Sequence, residues 1–177
     1  MSYIHSQDLA LRAALISNFL VAELLSSRAG GDYILWVVAP WVTNFTLSPP
    51  PSADLTTLVD SAEPQPRLFE VLRQIASNGG RVAMVVRSEV VPERVERFIR
   101  PLTDLIAAPR ITVRHLGNLH AKIYAGRHGA LYGSPNLTAS GVEYNVEFSR
   151  YVSDTRSVAQ LRAEAQAIFE RAEELAG

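Results

Sequence analysis

The chain has 177 residues, a formal net charge of −1 and 47% hydrophobic residues, which suits one domain with a substantial core. It contains no cysteine, so disulfides and thiolate metal sites are excluded, and the near-neutral charge excludes a global basic field while leaving room for a local basic cleft. The first residues lack the basic start and apolar core of a signal peptide, and the longest unbroken apolar runs are of strand length, so a cytoplasmic protein without a membrane span is expected.

Residues 7–28 are predicted as an amphipathic helix, because Leu9, Ala13, Ile16, Leu20 and Leu24 recur at helical spacing and Gly30-Gly31 ends the pattern. Residues 33–39 are a continuous apolar run of β formers, the pattern of a buried strand in a sheet covered on both faces, with Pro40-Trp41 stopping it. Trp36 is expected in the core. Between about 47 and 66 the composition changes. Pro49-Pro50-Pro51 and Pro64-Gln65-Pro66 bracket a stretch around 55–58, which reads as a mobile loop with at most a short helix. A helix is predicted over 67–77, with Leu68, Val71, Leu72 and Ile75 on one face and Asn78-Gly79-Gly80 closing it. A second buried strand follows at 81–87, then a helix opened by Pro92 and running to about 105.

Strands are predicted at 110–116, 120–125, 130–133 and 145–152, with Gly126-Arg127-His128-Gly129 turning between the second and third of these. Asp154 or Ser157 caps a last helix to about 175. No internal repeat is visible. Helices alternating with buried strands give an α/β sandwich, with a mixed, mostly parallel sheet flanked by helices on both faces.

Lys122 is the only lysine in the chain; every other long basic side chain is arginine. A position that keeps an ammonium in an arginine-rich sequence needs a compact point charge rather than a planar fork. His120 lies two residues earlier, and in an extended segment i and i+2 share a face. An imidazole beside an ammonium is a plausible phosphate site. Two further elements follow: Gly133-Ser134-Pro135-Asn136-Leu137-Thr138 at the end of one strand, and Asn145-Val146-Glu147 at the start of the next. His120 and Ser134 flank a hairpin, which can bring them side by side. In such a set the imidazole of His120 is the nucleophile. Lys122, Ser134 and Asn136 hold the non-bridging oxygens, and Glu147 can orient the histidine.

The order His120-x-Lys122, Gly133-Ser134-x-Asn136-x-Thr138, Asn145-x-Glu147 resembles the phospholipase D superfamily, and more narrowly its small bacterial PLD-like nuclease branch. The resemblance implies a single PLD-like domain over 1–177. It also implies a phosphohistidine formed at His120, and a second histidine that protonates the leaving oxygen and then activates water. The family sets two such motifs across a twofold axis; this chain has one, so a homodimer with a shared site is implied. No metal or other cofactor is implied, and nucleic acid, DNA more than RNA, is the implied substrate. One departure stands: the family's full motif carries an aspartate a few residues after the lysine, whereas residues 123–129 here contain no acid.

Blander readings stay beside these. Ser134 and Asn136 are common turn residues, and Glu147 could be a solvated strand residue. Trp41 and Thr138 could rim the site, Trp41 by stacking a base, although packing is the commoner role. Arg94, Arg97 and Arg100 recur on one helix among Glu93 and Glu96, by default the pattern of a solvated face, with a phosphate-tracking stripe as the minority reading. His115 and His128 are expected to be exposed and outside the site. The main alternative function is a catalytically silent PLD-like module that binds nucleic acid or partner proteins within a bacterial phage-defence or restriction assembly. A phospholipase is the third reading, and no basic amphipathic helix or membrane anchor favours it.

Overall fold

The computed structural model describes residues 4–6, 9–47, 55–59, 65–145 and 147–175. Its strands are β1 (Ile4–Ser6), β2 (Ile34–Val38), β3 (Arg81–Arg87), β4 (Ile111–Leu116), β5 (Ile123–Ala125), β6 (Ala130–Gly133), β7 (Ser149–Val152) and β8 (Glu173–Glu174). The helices are α1 (Leu9–Arg28), α2 (Leu55–Leu58), α3 (Leu68–Ser77), α4 (Pro92–Arg94), α5 (Arg100–Ile106) and α6 (Thr155–Glu170). Two stretches, Val95–Ile99 and Ser140–Tyr144, are π-helical.

Among the described residues the strands form one sheet in the order β1-β7-β6-β5-β2-β3-β4-β8. The α/β sandwich is as expected, but the sheet is not mostly parallel. Only β2–β3 and β3–β4 pair parallel; the other five of the seven pairings are antiparallel. The physical reason is connection length. Helical crossovers link β2 to β3 and β3 to β4, whereas the four-residue turn 126–129 allows only an antiparallel return from β5 to β6.

The alternation of β2 explains the two-sided burial. Leu35 and Val37 face one apolar layer, with Ile16, Leu20 and Leu24 of α1 and Leu68, Leu72 and Ile75 of α3. Trp36 and Val38 face the other, with Val158 and Ala165 of α6. Fully burying such a side chain contributes roughly 1.5–3 kcal/mol. By length and composition α1 could cross a membrane. Its apolar character is accounted for here by the core it packs into, and it also carries two buried charged residues, Arg12 and Glu23, at 0% and 1% exposure.

Element ends differ from expectation for identifiable reasons. Pairing of β5 starts at Ile123, opposite Val38, the last residue of β2. Beyond Val38 the chain turns at Pro40, which has no N–H to offer, so His120 and Lys122 lie in the segment leading into β5 rather than within a strand. Likewise β7 starts at Ser149, so Asn145 and Glu147 precede it. Asp154 caps α6, accepting from the Ser157 N–H at 2.9 Å. The helix stops at Glu170, and residues beyond it add β8 to the edge of β4 instead of extending the helix to 175. The short helix at 55–58 is present, while most of the proline-bracketed segment, 48–54 and 60–64, lies outside the described residues. His115 is half-buried rather than exposed, its Nδ1 2.6 Å from the Ser88 hydroxyl; His128 is exposed as expected.

At the end of the sheet away from the motifs, Glu23 ties α1 to the β5–β6 turn. Its carboxylate accepts from the Tyr33 hydroxyl at 2.8 Å and the Arg127 N–H at 3.0 Å. A Cβ on residue 126 would overlap that carboxylate, so Gly126 is what lets the two elements meet. Burial raises the pKa of Glu23 above the ordinary 4.5, against the lowering effects of those hydrogen bonds and of His128 and Arg162. The native state then binds the proton more tightly than the unfolded chain does. The contribution of Glu23 to stability is complete below about 4.5 and is lost as pH rises through the raised folded value. Glu23→Gln is therefore expected to narrow the drop in urea midpoint between pH 5 and pH 8; an unchanged drop assigns the pH dependence elsewhere.

Candidate active site

The three motif segments meet beyond the carboxyl end of β2, the end of an open α/β sheet where ligands bind. Backbone hydrogen bonds hold them side by side. The Gly133 N–H donates to the Lys122 carbonyl at 3.4 Å, and the Ser134 N–H donates to the Phe148 carbonyl at 2.9 Å. The Phe148 N–H returns to Ser134 Oγ at 2.8 Å. Because Ser134 Oγ accepts there, its own O–H remains a donor. Gly133 has φ +154°, and a Cβ at this position would overlap the Phe148 carbonyl oxygen. The glycine of the Gly133-Ser134 pair is thus what allows Phe148, just ahead of β7, to approach and take hold of the serine.

Beneath the turn lies Tyr124, whose hydroxyl donates to the Pro135 carbonyl at 2.8 Å. Burial, seconded by the negative charge of Glu147, holds this phenol far above its ordinary pKa, so it stays a neutral hydrogen-bond donor. Asn136 faces the loop after β2: its Oδ1 accepts from the Trp41 N–H at 3.2 Å, which leaves its NH2 as the donating end. The Val42–Leu137 bridge and the bond from the Thr43 N–H to the Leu137 carbonyl, 3.0 Å, pin the same two segments.

His120 is exposed and Lys122 half-buried. Sequence reasoning paired Glu147 with His120; among the described residues its Oε1 accepts from Asn145 Nδ2 at 3.2 Å. Thr138 Oγ1 accepts from the Gly141 N–H at 3.1 Å, starting the π-helical stretch that leads to Asn145.

A buried residue beside this site escaped sequence reasoning. Arg12 of α1 is fully buried, and its guanidinium spans the loop that carries Asn145 and Glu147. Nε donates to the Val142 carbonyl at 3.1 Å, one terminal nitrogen to the Asn145 carbonyl at 2.6 Å and the other to the Glu147 carbonyl at 3.4 Å. Burial lowers its pKa, and the negative charge of Glu147 opposes that. The signal was in the sequence: Arg12 falls at the i−4 position to Ile16, on the apolar face of the helix.

Beside Asn136 and Asn145 opens a cleft of about 220 Å³, bordered by Trp41, Arg97, Phe98 and Thr138. The expected rim residues Trp41 and Thr138 do line it. Arg97, read from sequence as part of a solvated face, is exposed and also borders the cleft. Among the described residues no three His, Asp or Glu side chains converge as a metal site would require.

A family profile described as "Cardiolipin synthase, PLD-like domain" matches residues 52–169, more than half of the chain. The chain belongs to the phospholipase D-like family. Solved structures of this PLD-like chain's fold agree. NucT from Helicobacter pylori shares 15% identity at a TM-score of 0.62, over 98% of this chain and 100% of that one. Nuc from Salmonella typhimurium, described as a phospholipase D family member, shares 14% at a TM-score of 0.58, over 89% and 91%. TrmBL2, an archaeal chromatin protein whose structure is described as showing a novel mode of DNA binding, shares 11% at a TM-score of 0.59; the PLD-like chain covers 54% of its length. At these identities the likeness is one of fold. None of the curated protein sequences matches the chain.

Proposed function

We propose that the protein is a metal-independent phosphodiesterase, most directly a nuclease, acting through a phosphohistidine at His120 in a site completed by a second copy of the chain. The observation that carries this reading is the hydrogen-bonded convergence of the Lys122, Ser134 and Asn145-to-Phe148 segments in a chain of this family. A neutral imidazole nitrogen of His120 attacks phosphorus. The bond to the leaving oxygen breaks, and the same histidine of the second copy supplies the proton that oxygen needs. That histidine, now neutral, takes a proton from water, whose oxygen displaces His120 from phosphorus. Lys122, the Ser134 O–H and the Asn136 NH2 meet the non-bridging oxygens as charge builds. Glu147 orients the imidazole when it exchanges its bond to Asn145. The nucleophile, the acid and the charge stabilisers are all side chains, so the scheme calls for no divalent ion.

The test is cleavage of labelled single- and double-stranded DNA and RNA in excess EDTA. Hydrolysis undiminished by EDTA is expected; hydrolysis that disappears with EDTA and returns with a divalent ion contradicts the mechanism.

A second reading has its own observation. The segment after Lys122 lacks the family's aspartate, and a DNA-binding chromatin protein shares this fold. A silent nucleic-acid-binding component of a defence assembly fits both. It is distinguished by retained DNA binding with no cleavage in the same assay.

A further inference from the structure

We infer that the cleft beside Asn136 is a subsite for one unpaired nucleobase next to the scissile phosphate, with the Trp41 ring, backed by Phe98, as its stacking surface. The inference rests on the nuclease reading and names the part of the substrate that this end of the site would grip. Trp41 and Phe98 lie with ring centroids 4.6 Å apart and planes tilted by 31°, and both rings are half-buried at the cleft wall. The Arg97 guanidinium lies over the Phe98 ring, 5.1 Å from its centroid, so Phe98 is packed by Trp41 and Arg97 and backs the Trp41 ring. An aromatic ring held in this way grips any base through its π face, with little regard to sequence. Polar residues complete the lining, among them Asn136 and Thr138. Asn136 is also hydrogen-bonded to the Trp41 backbone, which ties the stacking wall directly to the group expected to hold the phosphate.

An independent observation points to the same place. Each of the two π-helical stretches among the described residues contributes to this cleft, Arg97 and Phe98 from Val95–Ile99 and Ser140 from Ser140–Tyr144. Such stretches are rare and gather at functional sites. About 220 Å³ has room for a single base. A base stacked and paired in a duplex does not present its π face to such a cleft, so the subsite selects single-stranded or locally opened nucleic acid.

The test uses the full chain carrying His120→Ala, so that bound oligomers stay intact. Fluorescence anisotropy compares an oligothymidylate with an oligomer of equal length whose sugars are abasic. Both carry the same phosphates, so the backbone contribution is equal. The base-bearing oligomer is expected to bind about tenfold more tightly. Trp41→Ala is expected to cut that preference below about threefold, and Trp41→Phe to keep most of it. Equal affinity for the two oligomers in the protein that retains Trp41, a comparison that needs no change in the cleft, overturns the base subsite alone. An undiminished preference in folded Trp41→Ala overturns it as well. Binding of neither oligomer overturns the nuclease reading and the subsite with it.

Discussion

His120→Ala is expected to lower phosphodiester turnover by about 10⁴-fold or more while leaving the fold unchanged. Removing a nucleophile takes away the covalent route itself, and such losses run to several orders of magnitude. The side chain is exposed and lies ahead of β5 rather than in its ladder. Surface changes of this kind stay within about 0.5 kcal/mol, which for a chain of this size moves Tm by no more than about 2 °C. Single-turnover cleavage and a thermal melt on the same preparation check both halves. Retained turnover removes His120 from the mechanism; a large fall in Tm would mean that the lost activity reports misfolding.

Arg12→Ala is expected to act on stability first and on turnover as a consequence. The substitution leaves the carbonyls of Val142, Asn145 and Glu147 without the donor that now spans them. It also leaves a hole where a fully buried side chain stood. One buried and two part-buried acceptors lose their donor, which together with the cavity costs about 2–4 kcal/mol. The loop that loses its hold carries Asn145 and Glu147, so kcat is expected to fall at least about tenfold at temperatures where the variant is still folded. Arg12→Lys should recover only part of either loss, because one ammonium cannot span three carbonyls with the geometry of a guanidinium. Urea unfolding and steady-state kinetics on both variants decide this. A stability change below about 1 kcal/mol for Arg12→Ala would mean that the loop is held by other contacts.

Much of the fold was legible because its periodicities are local. The alternation of Leu35 and Val37 against Trp36 and Val38, and the one-sided face of α3, need no tertiary information. The short edge strands β1 and β8 were not legible: each exists because an adjacent strand offers an unpaired edge, a property of the neighbour. The parallel share of the sheet was overstated because helical alternation is conspicuous in a sequence, while the order in which short strands pair is not. At the candidate site, the family motifs named His120, Lys122, Ser134, Asn136 and Glu147 as candidates, but not the hydrogen bond between Asn145 and Glu147. Arg12 was overlooked as a single charged residue in an apolar helix pattern, although a charge on that face has to be met by something. Arg97 was read only secondarily as a phosphate contact and Phe98 not at all, because the charged pattern around them is that of a solvated helix. The position of Phe98 against Trp41 depends on how the segments pack.

The most direct measurement is capture of the covalent intermediate. Wild-type protein is mixed with a labelled oligonucleotide, quenched within milliseconds to seconds under alkaline denaturing conditions that preserve phosphohistidine, digested and sequenced by mass spectrometry. The account predicts a phosphorylated nucleotide adduct on His120, formed in EDTA and missing from His120→Ala. Active cleavage with no adduct on His120, or with the adduct on another residue, would contradict it.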